Sequence, residues 1–271
     1  MNFFTVGDLH GNDSQEEFYL NNRKMKIDIS PEDIVFQLGD FGYIFYYPSI
    51  KTAALHKEEY KKLVNISKKK FQWFVILGNH ENYDIINTLP IKEWNGGKVR
   101  YMEIEDREIL FAERGEIYTI NGKKFFTFGG AKSNRTRNEQ FSYEQYLGKE
   151  RVRVTNTRER KIYKNMKLSM VSYWSQEEPT EAEKQYGRDN LKKHGNKVHA
   201  ILTHTGPLRI IDKILDEDSN KLEDPLAEYF NEIAENNEFE EWHFGHVHKT
   251  TSTEGKFFSH YKSSPVRILK S

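Results

Sequence analysis

Five apolar runs in this chain each end in a short block that carries a metal-ligating side chain. Phe3 to Val6 leads into Gly7-Asp8-Leu9-His10-Gly11, and Ile34 to Leu38 into Gly39-Asp40-Phe41-Gly42. Phe71 to Leu77 leads into Gly78-Asn79-His80-Glu81. Val198 to Leu202 leads into Thr203-His204-Thr205-Gly206, and Phe239 to Phe244 into Gly245-His246-Val247-His248. Short apolar runs stopped by glycine or polar turn residues read as buried strands. A fold that uses all five blocks must bring several strand ends to one place. The blocks extend from residue 8 to residue 248, so the expectation is a single domain over 1–271.

The segments between the runs set the fold class. Asp13 to Asn22 and residues 51–70 read as helices, the second with Leu55, Tyr60, Leu63, Val64 and Ile66 among charged residues. Strand, helix, strand, helix, strand predicts a parallel or mostly parallel sheet, and hence an α/β protein. From about residue 96 the pattern changes to short runs at 98–104, 108–112, 116–120 and 123–128, with Asn121-Gly122 as a hairpin signal. These predict antiparallel strands of a second sheet. Helices are expected over 180–194 and 221–237, and final strands within Lys256 to Leu269. Residues 132–170 are polar and basic, and two readings stand: a solvated insertion, or a cap reaching to about residue 180 that contacts an anionic substrate.

Composition narrows the function classes. The chain has 41 basic and 41 acidic residues, which gives no electrostatic basis for general nucleic-acid binding. It has no cysteine, which excludes disulfides, thiolate nucleophiles and cysteine-bound zinc. Met1-Asn2-Phe3-Phe4 runs directly into the first strand, with no signal-peptide pattern and no membrane-spanning run, so the expected location is cytoplasmic.

The donor set has a definite chemistry. Asp8 and His10 stand at i and i+2, a spacing that places both side chains on one side of an extended strand end, and His246 and His248 repeat it. Asp40 has two carboxylate oxygens and can bridge two ions, while Asn79 offers an amide oxygen. Three oxygen donors and four imidazoles, with no sulfur, suit manganese, iron or zinc better than calcium, and would also take cobalt or nickel. Seven donors with one shared give two ions four protein ligands each. That leaves room for water and substrate, as in hydrolytic sites whose ions lie about 3.5–4 Å apart. His80 adjoins Asn79 and is placed to give a proton to a leaving oxygen. Glu81 is expected to hold its loop. His56, His194, His199, His243 and His260 read as ordinary surface or core histidines.

In type and order the five blocks (D-x-H, G-D, G-N-H-E, a lone His after a strand, G-H-x-H) resemble those of the calcineurin-like metallophosphoesterase superfamily. Gly39 to Gly42, Phe126 to Ala131 and Ile201 to Pro207 are similar to segments of its small bacterial and phage metallophosphatases. The resemblance implies a four-layer α-β-β-α sandwich of two mixed sheets flanked by helices. It implies a first metal on Asp8, His10, Asp40 and His248, and a second on Asp40, Asn79, His204 and His246. His80 would contact the scissile phosphate or protonate the leaving group. The implied activity is metal-dependent hydrolysis of phosphate mono- or diesters by a hydroxide shared between two divalent ions, manganese foremost.

The chain also departs from that pattern. Tyr43 and Ile44 stand where the protein-phosphatase branch has Asp and Arg, and Leu77 stands where it has another Arg. Two phosphate-clamping arginines are therefore missing. Arg135 or Arg137 are candidate replacements, and Tyr43 is a candidate substrate contact. The expected substrate is a phosphorylated small molecule, a nucleotide or a nucleic-acid end, with no membrane partner. Monoester, diester and nucleotide hydrolysis stay open. A protein-serine/threonine phosphatase and a non-catalytic metal-binding scaffold are the alternatives.

Overall fold

The computed structural model describes residues 1–11, 29–45, 53–133, 174–216, 224–261 and 265–269. The expected helix over 13–22 and most of the 132–180 segment lie outside them. Among the described residues, two mixed sheets carry the α/β fold. The strands are β1 (Phe3–Val6), β2 (Ile34–Leu38), β3 (Gln72–Ile76), β4 (Ile91–Trp94), β5 (Gly97–Ile104), β6 (Arg107–Ala112), β7 (Ile117–Ile120), β8 (Lys123–Phe128), β9 (Ala200–Thr203), β10 (Glu241–Phe244), β11 (Thr251–Thr253), β12 (Phe257–Ser259) and β13 (Val266–Ile268). The helices are α1 (Ala53–Ser67), α2 (Tyr83–Ile86), α3 (Glu181–Lys193), α4 (Leu208–Leu215) and α5 (Pro225–Asn236).

The first sheet has the order β13-β1-β2-β3-β6-β5-β4, and the second β11-β12-β10-β9-β8-β7. In the first, β1, β2, β3 and β6 run parallel. In the second, β8, β9, β10 and β12 run parallel. Antiparallel strands close both edges of each sheet. The parallel strands are buried on both faces, which is why they read as continuous apolar runs rather than alternating ones.

One expectation about topology is corrected. The strands at 98–104 and 108–112 belong to the first sheet, not the second, because β6 pairs in parallel with β3 through Trp73↔Ile109 and Phe74↔Leu110. The chain crosses to the second sheet only after Ala112. The hairpin at Asn121-Gly122 forms as expected, with φ of 49° and 76° joining β7 to β8. Asn95-Gly96, at 49° and 89°, makes a second hairpin of the same kind between β4 and β5. β4 does not follow from apolar periodicity, since Lys92 and Glu93 interrupt it, and the Asn-Gly pair after it is its one local signal.

Side-chain alternation assigns the core. Phe3, Phe36, Phe74 and Leu110 of the first sheet meet Phe125, Ala200 and Leu202 of the second. Phe4, Val35, Trp73 and Phe111 face the other way and pack with Leu63 and Ile66 of α1. Phe126, Ile201, Trp242 and Phe244 pack with Leu191 of α3, Ile210 of α4 and Phe230 of α5. Two helices start at sequence-encoded caps: Thr180 and Glu183 form a capping box on α3, and Asp224 precedes Pro225 at the start of α5. No helix among the described residues is long and apolar enough to cross a membrane.

Phe36 is the centre of the layer between the sheets. Its ring lies 5.0 Å from Phe125 and 5.5 Å from Phe74, and it is fully buried. Phe36→Ala should lower stability by about 3–5 kcal/mol, read from the urea midpoint. A change below about 1 kcal/mol would contradict this account of the core.

Candidate metal centre

The five blocks meet where parallel strands of both sheets end. Asp8 and His10 follow β1, Asp40 follows β2, Asn79 and His80 follow β3, His204 follows β9, and His246 and His248 follow β10. Backbone bonds hold the first two loops side by side: His10 N donates to Asp40 O at 2.7 Å and Gly11 N to Phe41 O at 2.9 Å. Gly245 N donates to His204 O at 2.8 Å and ties the last two together. Carboxyl ends of parallel strands are the usual place for sites in α/β sheets.

The local backbone at these residues is unusual. Asp8, His10, Asp40, His246 and His248 have φ of 51°, 53°, 54°, 63° and 51°, all in the left-handed region. Asp8 and His10 therefore converge through two left-handed turns, not through the extended alternation expected from their spacing. Left-handed non-glycine residues cost roughly 1–2 kcal/mol each, and such strain collects at functional sites. The packing allows no relaxation at Gly39, where a Cβ would sit 2.1 Å from His204 Nδ1.

Asp40 divides the donors into two groups. Its Oδ2 lies 3.7 Å from His10 Nε2, and its Oδ1 lies 3.3 Å from His204 Nε2. On the first side, one donor atom from each of Asp8, His10, Asp40 and His248 falls within 4.8 Å of the others. On the second side, His204 Nε2 lies 3.0 Å from Asn79 Oδ1, and the His246 ring is 5.0 Å from that of His204.

The proton positions on the second side follow from the partners. His204 Nδ1 lies 2.7 Å from the Leu38 carbonyl, which can only accept, so Nδ1 carries the proton. Burial keeps His204 below its ordinary pKa, so its Nε2 presents a lone pair. Asn79 Nδ2 donates to Ser133 Oγ, which turns Asn79 Oδ1 toward that lone pair. Three acceptors from His204, Asn79 and Asp40 thus converge without a proton between them. A divalent cation would satisfy that arrangement, and the residues present fit one.

Backbone and side-chain partners hold the donors in place. His246 N donates to both Asp8 oxygens at 3.2 Å, and His80 N to Asp40 Oδ1 at 2.9 Å. Glu81 is no donor to the centre: its carboxyl group accepts from Phe41 N at 2.7 Å and Gly42 N at 3.3 Å, bracing the Asp40 loop. A further brace had no marker in the sequence. Arg114 bonds Gly129 O, Glu183, Gln176 O and the Tyr83 hydroxyl, and that hydroxyl donates to Gly78 O at 2.8 Å. Glu177 accepts from Ser133 N at 2.9 Å and so positions the partner of Asn79.

His80 stays at the edge of the centre. It is half-buried, and its ring lies 5.6 Å from that of His10. Both rings line a cavity of about 430 Å³ with Gly42, Tyr43 and Phe45. Tyr43 is only 1% exposed and packs against Phe41 in a tilted ring pair with centroids 4.8 Å apart, so it forms wall rather than an exposed stacking face. Arg135 and Arg137 lie outside the described residues. A larger cavity of about 690 Å³, beside Arg114 and Tyr186, touches none of the candidate ligands. Among the other histidines, His243 and His260 are buried and share a 3.0 Å hydrogen bond.

The chain belongs to the calcineurin-like phosphoesterase family, whose model matches residues 1–250. Among solved structures, a phosphopantetheinyl hydrolase from Mycobacterium tuberculosis is 14% identical with a TM-score of 0.37, covering 100% of this chain and 96% of that one. A candidate 5′-nucleotidase from Staphylococcus aureus, in complex with α-ketoglutarate, is 13% identical with a TM-score of 0.41. That match covers 96% of this chain and 48% of the other. No curated protein matches the chain.

Five imidazoles are held below their ordinary range. Desolvation lowers His10 to about 4 and His246 to about 3, with neighbouring imidazoles adding to it, and burial also lowers His204, His243 and His260. For such a group the unfolded chain binds the proton more tightly. Its stability contribution is therefore complete above the unfolded pKa of 6.5 and is lost as pH falls toward the folded value. Glu81 opposes this, because burial and the Asp40 charge raise it to about 7, so it favours the fold as pH falls. Five groups outweigh one. The metal-free protein should melt lower at pH 5 than at pH 7, by on the order of 5 °C or more in a calorimetric scan. An unchanged or higher melting temperature at pH 5 would contradict the electrostatic reading.

Proposed function

We propose that this calcineurin-like phosphoesterase is a dinuclear metal-dependent hydrolase of phosphate mono- or diesters. Asp8, His10, Asp40 and His248 would hold one ion, and Asp40, Asn79, His204 and His246 the other. Manganese is the first choice, with iron, zinc, cobalt or nickel compatible with the same donors. The observation that carries the reading is Asp40, whose two oxygens face two separate sets of donors. Divalent ions held there would acidify a bound water and offset charge on the phosphate oxygens. In the same reading α1 on one side and α3, α4 and α5 on the other complete a four-layer sandwich around the two sheets.

The chain's own residues supply position and protons. Buried Asp40 stays ionised: burial pushes it up, but the imidazoles of His204, His80 and His10 and the His80 N–H outweigh that and hold it well below the usual carboxylate range. His80 faces the cavity shared with His10 and protonates the leaving ester oxygen. Its N–H bond to Asp40 fixes it relative to the donors. Hydrogen bonds from two loops leave the first-side carboxylates little freedom, which is the preorganisation that electrostatic catalysis needs.

With Mn²⁺ and 4-nitrophenyl phosphate or its bis ester, Asp40→Asn and His80→Ala should each lower kcat by about 100-fold or more. Wild-type turnover in either variant would remove the assignment.

A further inference from the structure

We infer that Lys62 binds the substrate phosphate and that the substrate is a small phosphomonoester. This rests on the phosphoesterase reading of the same site. Lys62 lies on α1 and lines the cavity of about 430 Å³ into which His10 and His80 also look. It is the one lysine or arginine among the described residues of that lining. Its Nζ donates to Gly11 O at 3.0 Å, which ties the ammonium to the residue that follows His10. One carbonyl uses one of three ammonium donors, and no carboxylate among the described residues lies within 4.0 Å of it.

Two carboxylates share the lining and are engaged elsewhere. Glu58 pairs with Lys61 at 2.7 Å and its side chain is 63% exposed. Glu59 accepts from Phe45 N at 2.5 Å. Lys62 contributes to the field that lowers Glu58, but neither carboxylate lies within 4.0 Å of its ammonium, so a half-buried cation is presented at the edge of the candidate centre. Such a group is stabilised by an anion that enters the cavity. A monoester has three non-bridging oxygens and up to two charges, and a diester has two oxygens and one charge. An additional cationic donor is matched by the monoester's additional oxygen and charge. The cavity volume is in the range of small-molecule sites. Lys62 would thus supply the cationic contact that Ile44 and Leu77 do not.

The test compares wild type, Lys62→Met and Lys62→Arg, each loaded with Mn²⁺ and checked for metal content and melting temperature. Lys62→Met should lower kcat/KM for 4-nitrophenyl phosphate by about 10- to 100-fold, mainly through KM, and lower it several-fold less for the bis ester. Inorganic phosphate binding, followed by titration calorimetry, should weaken by a similar factor with metal content unchanged. Lys62→Arg should restore most of both. Equal losses on the two esters, or phosphate binding unchanged in Lys62→Met, would overturn the proposal. If the wild type hydrolyses neither ester, the phosphoesterase reading fails and calorimetry alone decides Lys62. Weaker phosphate binding in Lys62→Met would then support the clamp, while equal binding, or none by the wild type, would overturn it.

Discussion

The arrangement depends on one buried carboxylate. Asp40 ends β2 in the first sheet, and its two oxygens face His10 from β1 and His204 from the second sheet. Through it the strand ends of both sheets become one site. Leaving a carboxylate at that seam without a cationic partner would be expensive in a low-dielectric interior. The neighbouring imidazoles favour the Asp40 charge, but burial opposes their own protonation, so they balance it only in part. A bound divalent cation resolves both conditions together.

The surroundings are built to hold this geometry against local preference. Five candidate ligands are left-handed, and that strain is sustained by a dense set of backbone bonds among the loops. Glu81 braces the Asp40 loop, and Arg114 and Tyr83 brace the loop that carries Asn79 and His80. The two-sheet core behind them, with Phe36 against Phe74 and Phe125, gives those braces a rigid base. Ligand placement is therefore a property of the packing of both sheets and not of any single loop.

Much of the site was legible in the sequence because its signals are local. An apolar run, a glycine and a ligating residue lie within a few positions of one another, and five repeats of that pattern located the strand ends. Sheet membership was not legible in the same way. Whether residues 107–112 pair with β3 or with the second sheet depends on contacts across more than thirty residues, which periodicity does not encode. The same holds for Arg114, Glu177 and Ser133, whose roles exist only once distant segments meet. Lys62 was one lysine among several on an amphipathic helix, and only the packed helix shows which of them faces the cavity. Asn95-Gly96 is a local hairpin signal, but the charged residues before it mask the strand that it ends.

The central claim is that Asp40 is shared by two metal ions. Its most direct test is Mn²⁺ titration of the metal-free protein by calorimetry, with bound metal counted by elemental analysis, in wild type and Asp40→Asn. The account predicts two ions per wild-type chain and weakening of both in Asp40→Asn, because the substitution removes the one negative charge that both would share. Two ions bound with unchanged affinity in Asp40→Asn, or none in the wild type, would contradict it.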